Sequence, residues 1–429
     1  MKYILLLLIG SLGFSNLKAQ TYFPPLVGTT WSTTDPATLG WCQDSIDNMY
    51  NWLEQSDSKA FIVLKDGKIV LEKYFGTFTA DSFYVWNSAG KTLTAYAVGI
   101  AQYEGFLNIN DPTSDYLGNG WTSMTTAQED AITIKHQLTM TTGLDDGVSD
   151  IYCTDPACLV YKAPPGTRWA YHNGPYTLLD SVIRVATGTT LSSWVNQKIG
   201  AKIGMTGLFV TSGYNHIFVS KPRSMARFGL LLSQNGYWNG TAVLPDLTYL
   251  NEMRNTSQSL NKSYGYLTWL NGKSSYMLPQ TQFVFPGSLM PNAPADVYAA
   301  EGKNGQIINV SPSDGLVLVR MGANLGTNLV ATTYNDTIWQ YMNRLTCTAG
   351  LQTNRLDVIQ LAPNPSDDGL LTLSNLLGGE VFELKNQLGQ SVPFQQIGNE
   401  IHFSENSKGV YFLTIRREND TKTLKVIRD

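Results

Sequence analysis

A serine followed three residues later by a lysine is the pattern in this chain best suited to chemistry. On a helix that spacing sets a hydroxyl and an amine on one face, one turn apart. A neutral lysine so placed can take the serine proton and turn the oxygen on a carbonyl, but it is neutral near pH 7 only where burial or neighbouring positive charge lowers its pKa. The pairs are Ser15/Lys18, Ser56/Lys59, Ser88/Lys91 and Ser259/Lys262. The first lies in an N-terminal apolar stretch and the second in the polar hinge Gln55-Ser56-Asp57-Ser58-Lys59, where the amine stays solvated. The fourth lies in the loop-like run Asn255 to Lys262. Only Ser88-Ala89-Gly90-Lys91 opens an apolar helix pattern, Thr92 to Ile100, whose N-terminal amides would face the serine and meet the needs of an oxyanion. By itself the tetrapeptide fits equally a helix N-cap serine followed by a surface lysine.

Other chemistries find little support. His136, His172, His216 and His402 are scattered without metal-ligand spacing, and Cys153 and Cys158 lack a second ligand pair. There is no Walker A loop and no Gly-x-Ser-x-Gly elbow. No metal or organic cofactor is expected. With Lys+Arg 30 against Asp+Glu 34, the chain has no basic surplus for a phosphate backbone, so nucleic acid is not an expected partner.

Positioning these groups requires a folded core, and 43% apolar residues with 10 Trp and 22 Tyr in 429 residues are ample for one. Residues 1–19, with Lys2 before a short apolar run and Leu17-Lys18-Ala19 before Gln20, read as a secretory signal peptide. That run is too short to span a bilayer, and no later stretch of about 18 apolar residues follows, so no transmembrane segment is expected. Export would place the four cysteines where pairing is the default.

A helix is expected over Leu39 to Gln55, then a hairpin of Phe61–Leu64 and Ile69–Leu71 turned by Asp66-Gly67. Helical patterns follow at about Ser88–Gly105, Ile132–Thr142, Tyr176–Thr187, Pro222–Gln234 and Asn328–Leu345. Asn309-Val310 and Leu316–Val319 flank Ser313-Asp314-Gly315 as a second hairpin. Strands at both ends around helices predict an α+β domain over residues 20–350, its antiparallel sheet assembled from both chain ends. Residues 356–429 alternate in short strands such as Leu371–Leu373, Val381–Leu384, Ile401–Phe403 and Val410–Ile415, which fits a small all-β sandwich.

Several segments in order resemble the serine β-lactamase and penicillin-binding-protein superfamily, in particular its class C-like branch of carboxylesterases, D-amino-acid peptidases and 6-aminohexanoate oligomer hydrolases. Trp86-Asn87-Ser88-Ala89-Gly90-Lys91-Thr92 is similar to the first motif of that family, and Leu107–Pro112 and Ile132–Leu144 to the segment after it. Tyr171-His172-Asn173, behind Pro164-Pro165-Gly166-Thr167, stands where the Tyr-x-Asn motif does, although Tyr171 also fits an aromatic on a cleft wall. Lys303-Asn304-Gly305-Gln306 before the strand Ile307–Val310 takes the place of Lys-Thr-Gly, with Lys303 also readable as a hairpin-edge cation. Asn304 in place of threonine, and a short span to the hairpin, depart further from a β-lactam-hydrolysing member than from an esterase.

The resemblance implies a β-lactamase-like sheet flanked by helices plus a helical subdomain, and an acyl-enzyme on Ser88. Lys91 would accept the proton and Tyr171 would share it and pass it to the leaving group. The oxyanion would lie between the amides of Ser88 and Gln306. Asn173 would orient a small-molecule or peptide-like substrate, and Lys303, in the segment with Asn304 and Gly305, would attract a carboxylate. A non-catalytic, penicillin-recognising sensor of the same fold is the alternative. The tail, with Pro363-Asn364-Pro365, Gly409-Val410-Tyr411-Phe412 and Thr423–Arg428, resembles the C-terminal sorting domain of type IX secretion. That implies the secretion machinery as partner and a secreted or cell-surface location reached through the periplasm, with a carbohydrate-binding or adhesion sandwich as the other reading. Among the cysteines, a turn through Pro156 can bring Cys153 to Cys158, leaving Cys42 with Cys347. The latter bond would join the two ends of the catalytic domain if the terminal helices share a sheet face, as the resemblance implies.

Overall fold

Asp66 and Gly67 both take positive φ, 47° and 83°, the conformation of a primed two-residue turn. The turn joins β1 (Ser58–Lys65) to β2 (Lys68–Tyr74) as an antiparallel pair. This is a computed structural model that describes residues 20–323, 329–347, 355–403, 408–417 and 420–429; the expected signal peptide, residues 1–19, lies outside them. The chain separates after Thr346 into two compact units.

In the first unit, β3 (Trp269–Leu270), β4 (Tyr298–Gly302), β5 (Gln306–Ser311) and β6 (Leu316–Gly322) complete a six-stranded antiparallel sheet of order β2-β1-β6-β5-β4-β3. Ile62 stands opposite Val319 and Val63 opposite Leu318, so the first hairpin is zipped to strands from the far end of the unit. The sheet is therefore built from both chain ends, as the strand–helix–strand order predicts. Against it pack α1 (Gln43–Gln55), α2 (Gly90–Tyr103), α3 (Leu179–Thr187), α4 (Pro222–Ser233) and α5 (Thr332–Met342), directly or through one another. α4 lies close on one sheet face because Gly229 has no side chain: a Cβ there would come within 2.5 Å of Val317 and 2.9 Å of Ile308. On the next residue of β5, pointing to the other face, Asn309 bonds Asn335 of α5 at 2.6 Å. Trp52 of α1 stacks on Tyr334 and Tyr341 of α5, so the two terminal helices are neighbours. The Cys42 amide donates to Leu345 O at 2.8 Å. Cys153 and Cys158 are bonded with Cα atoms 6.0 Å apart, and among the described residues no cysteine is free.

Some expected elements differ in extent. The helix over Ile132–Thr142 shrinks to Ile134–Leu138, because Thr139 folds its hydroxyl back onto Lys135 O and Met140 adopts a left-handed φ of 59°. The stretch Tyr176–Thr187 is two helices, Asn173–Thr177 and α3. The last helix begins at Thr332; residue 328 lies outside the described residues. A hairpin of Gly207–Ser212 and Asn215–Ser220, extended by Tyr84–Val85, was not anticipated, since its side chains are mostly half-buried or exposed and its alternation is weak.

The second unit contains β7 (Gln360–Ala362), β8 (Leu370–Ser374), β9 (Val381–Asn386), β10 (Phe394–Ile397), β11 (Glu400–Phe403), β12 (Gly409–Arg417) and β13 (Asp420–Arg428). They form two antiparallel sheets, β7-β8-β11-β10 and β9-β12-β13. Leu371, Leu373, Ile401 and Phe403 from one sheet share a buried cluster with Leu384, Tyr411, Leu413, Ile415 and Val426 from the other. Because each unit closes its own core, deletion of residues 356–429 is expected to leave a monodisperse protein with an intact cooperative melt; loss of that transition in circular dichroism would show that the first unit needs the second.

Candidate active site

The turn that carries Ser88 is held from behind. Trp86 is fully buried; its amide donates to Phe218 O at 2.8 Å, its indole nitrogen to Ser220 Oγ at 2.8 Å, and its ring meets that of Phe218 edge-on. Asn87 then takes a left-handed φ of 47°, and Asn87–Ala89 forms a single tight turn leading into α2. From Gly90 to Ala101 every residue of α2 is buried, as expected for a helix apolar on all sides. Ser88, at its mouth, is half-buried.

One turn into the helix, Lys91 Nζ lies 2.9 Å from Ser88 Oγ. Lys91 is 4% exposed, with the ring of Tyr176 4.4 Å and that of Tyr171 5.1 Å from its nitrogen. Burial lowers its pKa to about 7. Far more of the amine is therefore neutral near neutrality than in a solvated lysine.

Tyr171 arrives on the extended segment after Trp169 and is clamped by aromatic rings, stacked on Trp269 at 5.8 Å and edge-on to Tyr264 at 6.3 Å. Burial raises its pKa, and a hydrogen bond with Ser88 acts in the opposite direction. Ser88, Lys91 and Tyr171 are thus gathered at one point. Asn173 is buried at the start of the helix Asn173–Thr177. His172 has both ring nitrogens buried without partners and a pKa pushed down to about 4 by burial; its charged neighbours are Asp146, Asp145 and Arg168.

The third wall is the end of β4. Its outer neighbour β3 pairs only with Tyr298 and Ala299, so among the described residues no strand pairs with the outer edge of β4 from Ala300 onward. A Cβ at Gly302 would fall 2.6 Å from Trp86 O and 2.9 Å from Ser88 N, so only glycine lets this strand approach the nucleophile turn so closely. Lys303–Gly305 forms the turn to β5, with Lys303 exposed and Asn304 left-handed at φ 64°. Asn87 Nδ2 donates to Lys303 O at 2.9 Å and ties this turn to the nucleophile. Gln306 is fully buried; it stands opposite Gly302 in the ladder, and its side-chain amide bonds the backbone of Gly322. Its side chain is thus occupied inside the sheet. Glu301 is buried, bonded by Asn335 Nδ2 at 2.7 Å and Thr332 Oγ1 at 3.0 Å, and burial raises its pKa to about 7. Among the described residues no three His, Cys, Asp or Glu side chains are placed to hold a metal.

Sequence reasoning missed Gly302, the Phe218 and Ser220 backing, and the ring cage of Tyr176, Tyr264 and Trp269. Only Tyr176, five residues after Tyr171, carried a local signal.

Residues 53–341 match the Beta-lactamase family model. The fold is similar to that of a putative beta-lactamase from Bacteroides dorei, with TM-score 0.56 and 18% identity over 71% of this chain and 99% of that one. A family VIII carboxylesterase gives 0.54 and 14% over 74% and 100%, and a putative 6-aminohexanoate-dimer hydrolase from Bacillus anthracis 0.53 and 19% over 69% and 81%. With the family model spanning more than half of its length, and a Ser-x-x-Lys pair in contact at the mouth of a buried helix, this chain belongs to the beta-lactamase family.

Proposed function

We propose that the protein is a secreted serine hydrolase that cleaves an ester, amide or lactam bond through an acyl-enzyme on Ser88. The observation that carries this reading is the 2.9 Å contact between Ser88 Oγ and the buried amine of Lys91. In its neutral form Lys91 accepts the hydroxyl proton while Oγ adds to the substrate carbonyl. The negative oxygen that forms is met by the Ser88 amide at the helix mouth, where the helix dipole also favours it. The resemblance assigns a second donor to the Gln306 amide, which belongs to the hairpin that Asn87 holds beside the nucleophile. The Tyr171 hydroxyl, kept neutral by burial, relays the proton to the leaving group. Collapse of the adduct breaks the carbonyl–leaving-group bond, and water then repeats the sequence on the acyl-serine.

Half-exposed Ser88 above fully buried partners suits a small-molecule or peptide-like substrate lying along the free edge of β4. Asn173 would orient its carbonyl substituent and exposed Lys303 would attract a carboxylate. For the second unit, the likeness of its turn and end segments to type IX sorting domains supports β7–β13 as an export signal read by that machinery, which would place the enzyme outside the cell or on its surface.

Hydrolysis of a p-nitrophenyl ester tests the reading: Ser88→Ala is expected to lower kcat/KM by about 10³-fold or more. Intact mass should show an acyl adduct in the wild type and none in the variant. Persistent turnover in Ser88→Ala would refute the assignment.

The pH profile of kcat/KM should carry an acid limb near pH 7, because activity falls as Lys91 protonates. Tyr171→Phe should lose about 10- to 100-fold in rate and keep that limb, since the phenol titrates above its ordinary range. Stability follows the same group. Between about pH 7 and pH 10.5 the unfolded lysine holds a proton that the folded one lacks, so Lys91 makes stability rise with pH across that window. Lys91→Met is expected to abolish turnover, melt higher than wild type at pH 7, and lose that excess toward pH 10. Equal melting curves at both pH values would show that the amine is not desolvated.

A further inference from the structure

Arg320, on β6, is fully buried, yet its hydrogen bonds run to neutral oxygens: Ser58 Oγ at 2.9 Å, Ser56 O at 2.7 Å, Asn304 O at 2.8 Å and Gly305 O at 2.9 Å. The guanidinium also lies over the ring of Tyr334, 4.3 Å from its centre. A cation taken out of water with no carboxylate hydrogen-bonded to it, Asp57 acting only through its charge, costs free energy that a methionine of similar length would not. What the guanidinium adds is geometry, a rigid planar fork able to grip adjacent carbonyls. Those it grips belong to the Lys303–Gly305 turn, whose middle residue is left-handed. The preceding carbonyl, Lys303 O, accepts instead from Asn87 Nδ2, and Asn87 is the strained residue immediately before Ser88. Room for the fork is built in: a Cβ at Gly322 would lie 2.1 Å from Arg320 Nη1, and the Gln306 side chain holds Gly322 by its backbone on both sides.

We propose that Arg320 is a positioning residue for the nucleophile, its guanidinium fixing the Lys303–Gly305 turn so that Asn87 holds the Ser88 turn in register with the end of β4. Arg320 touches neither substrate nor the reacting atoms. It acts through two successive contacts, guanidinium to turn and turn to Asn87. The kinetic part of this inference rests on the hydrolase reading; the structural part does not.

The test uses the full chain with Arg320→Lys, which keeps the charge and loses the fork, Asn87→Ala, which cuts the second contact, and the double variant. In hydrogen exchange followed by mass spectrometry, the peptide spanning Trp86–Thr92 should exchange at least ~5-fold faster in each single variant, with peptides of α4 unchanged. On a p-nitrophenyl ester, kcat should fall about 10-fold or more in each, with KM within about 3-fold of wild type and the acid limb kept near pH 7. The double variant should be no worse than the worse single, because both cut one chain of contacts. Unchanged exchange at Trp86–Thr92, a kcat loss that merely tracks the folded fraction, or losses that multiply in the double variant would each overturn the proposal. Should Arg320→Lys fail to fold, Asn87→Ala decides by the same two readouts. A wild-type protein with no turnover and no acylated Ser88 would defeat the hydrolase reading, and the exchange measurement would still decide the role of Arg320.

Discussion

The site depends on keeping one amine dry. Lysine is useful as a base at neutral pH only if its charged form is made costly, and here the cost is imposed by placing Lys91 on a helix buried from Gly90 to Ala101 and closing it with the rings of Tyr171 and Tyr176. That single requirement explains much of the surrounding architecture. A helix without a polar face must be wrapped on every side. The aromatic cage of Trp169, Tyr264 and Trp269 excludes water around Tyr171, and the hairpin carrying Phe218 seals the turn from behind. Ser88 itself is left half-exposed, as the proposed attack on a substrate requires.

The second constraint is contact without collision. Strand β4 brings backbone to within van der Waals distance of Ser88 only because Gly302 has no side chain, and α4 lies close on the sheet only because of Gly229. Asn87 and Asn304 bend the two adjoining turns through left-handed conformations, which asparagine tolerates better than most residues. Polar groups buried by these close approaches are each given partners: Glu301 by Thr332 and Asn335, Arg320 by the oxygens of two separate segments. Buried polar contacts of this kind are directional, so they fix register where apolar packing alone would allow the turn to slide.

The Ser88/Lys91 pair, the hairpin at Asp66-Gly67 and the alternating strands of the tail were legible in the sequence because each rests on short-range rules. Helical spacing, turn residues and the period of apolar residues act within a few positions of one another. The choice of Ser88 over Ser56 and Ser259 was also local, since only its flanking run is apolar enough to bury the amine.

Tertiary structure alone decided what lies across the cleft. That Gly302 rather than the neighbouring lysine presses on Ser88 follows from the register of β4 and β5, with Gly302 opposite Gln306, and register is set by pairing partners far apart in the chain. The same is true of Gln306, whose side chain is spent on Gly322, and of Arg320, whose acceptors come from Ser56, Ser58 and the β4–β5 turn. The shortened helix at Ile134–Leu138 was decided by one left-handed residue, Met140. Spacing names the Ser88/Lys91 pair; the depth of burial that lowers the Lys91 pKa, and the close approach of Gly302 to Ser88, exist only once distant segments have packed.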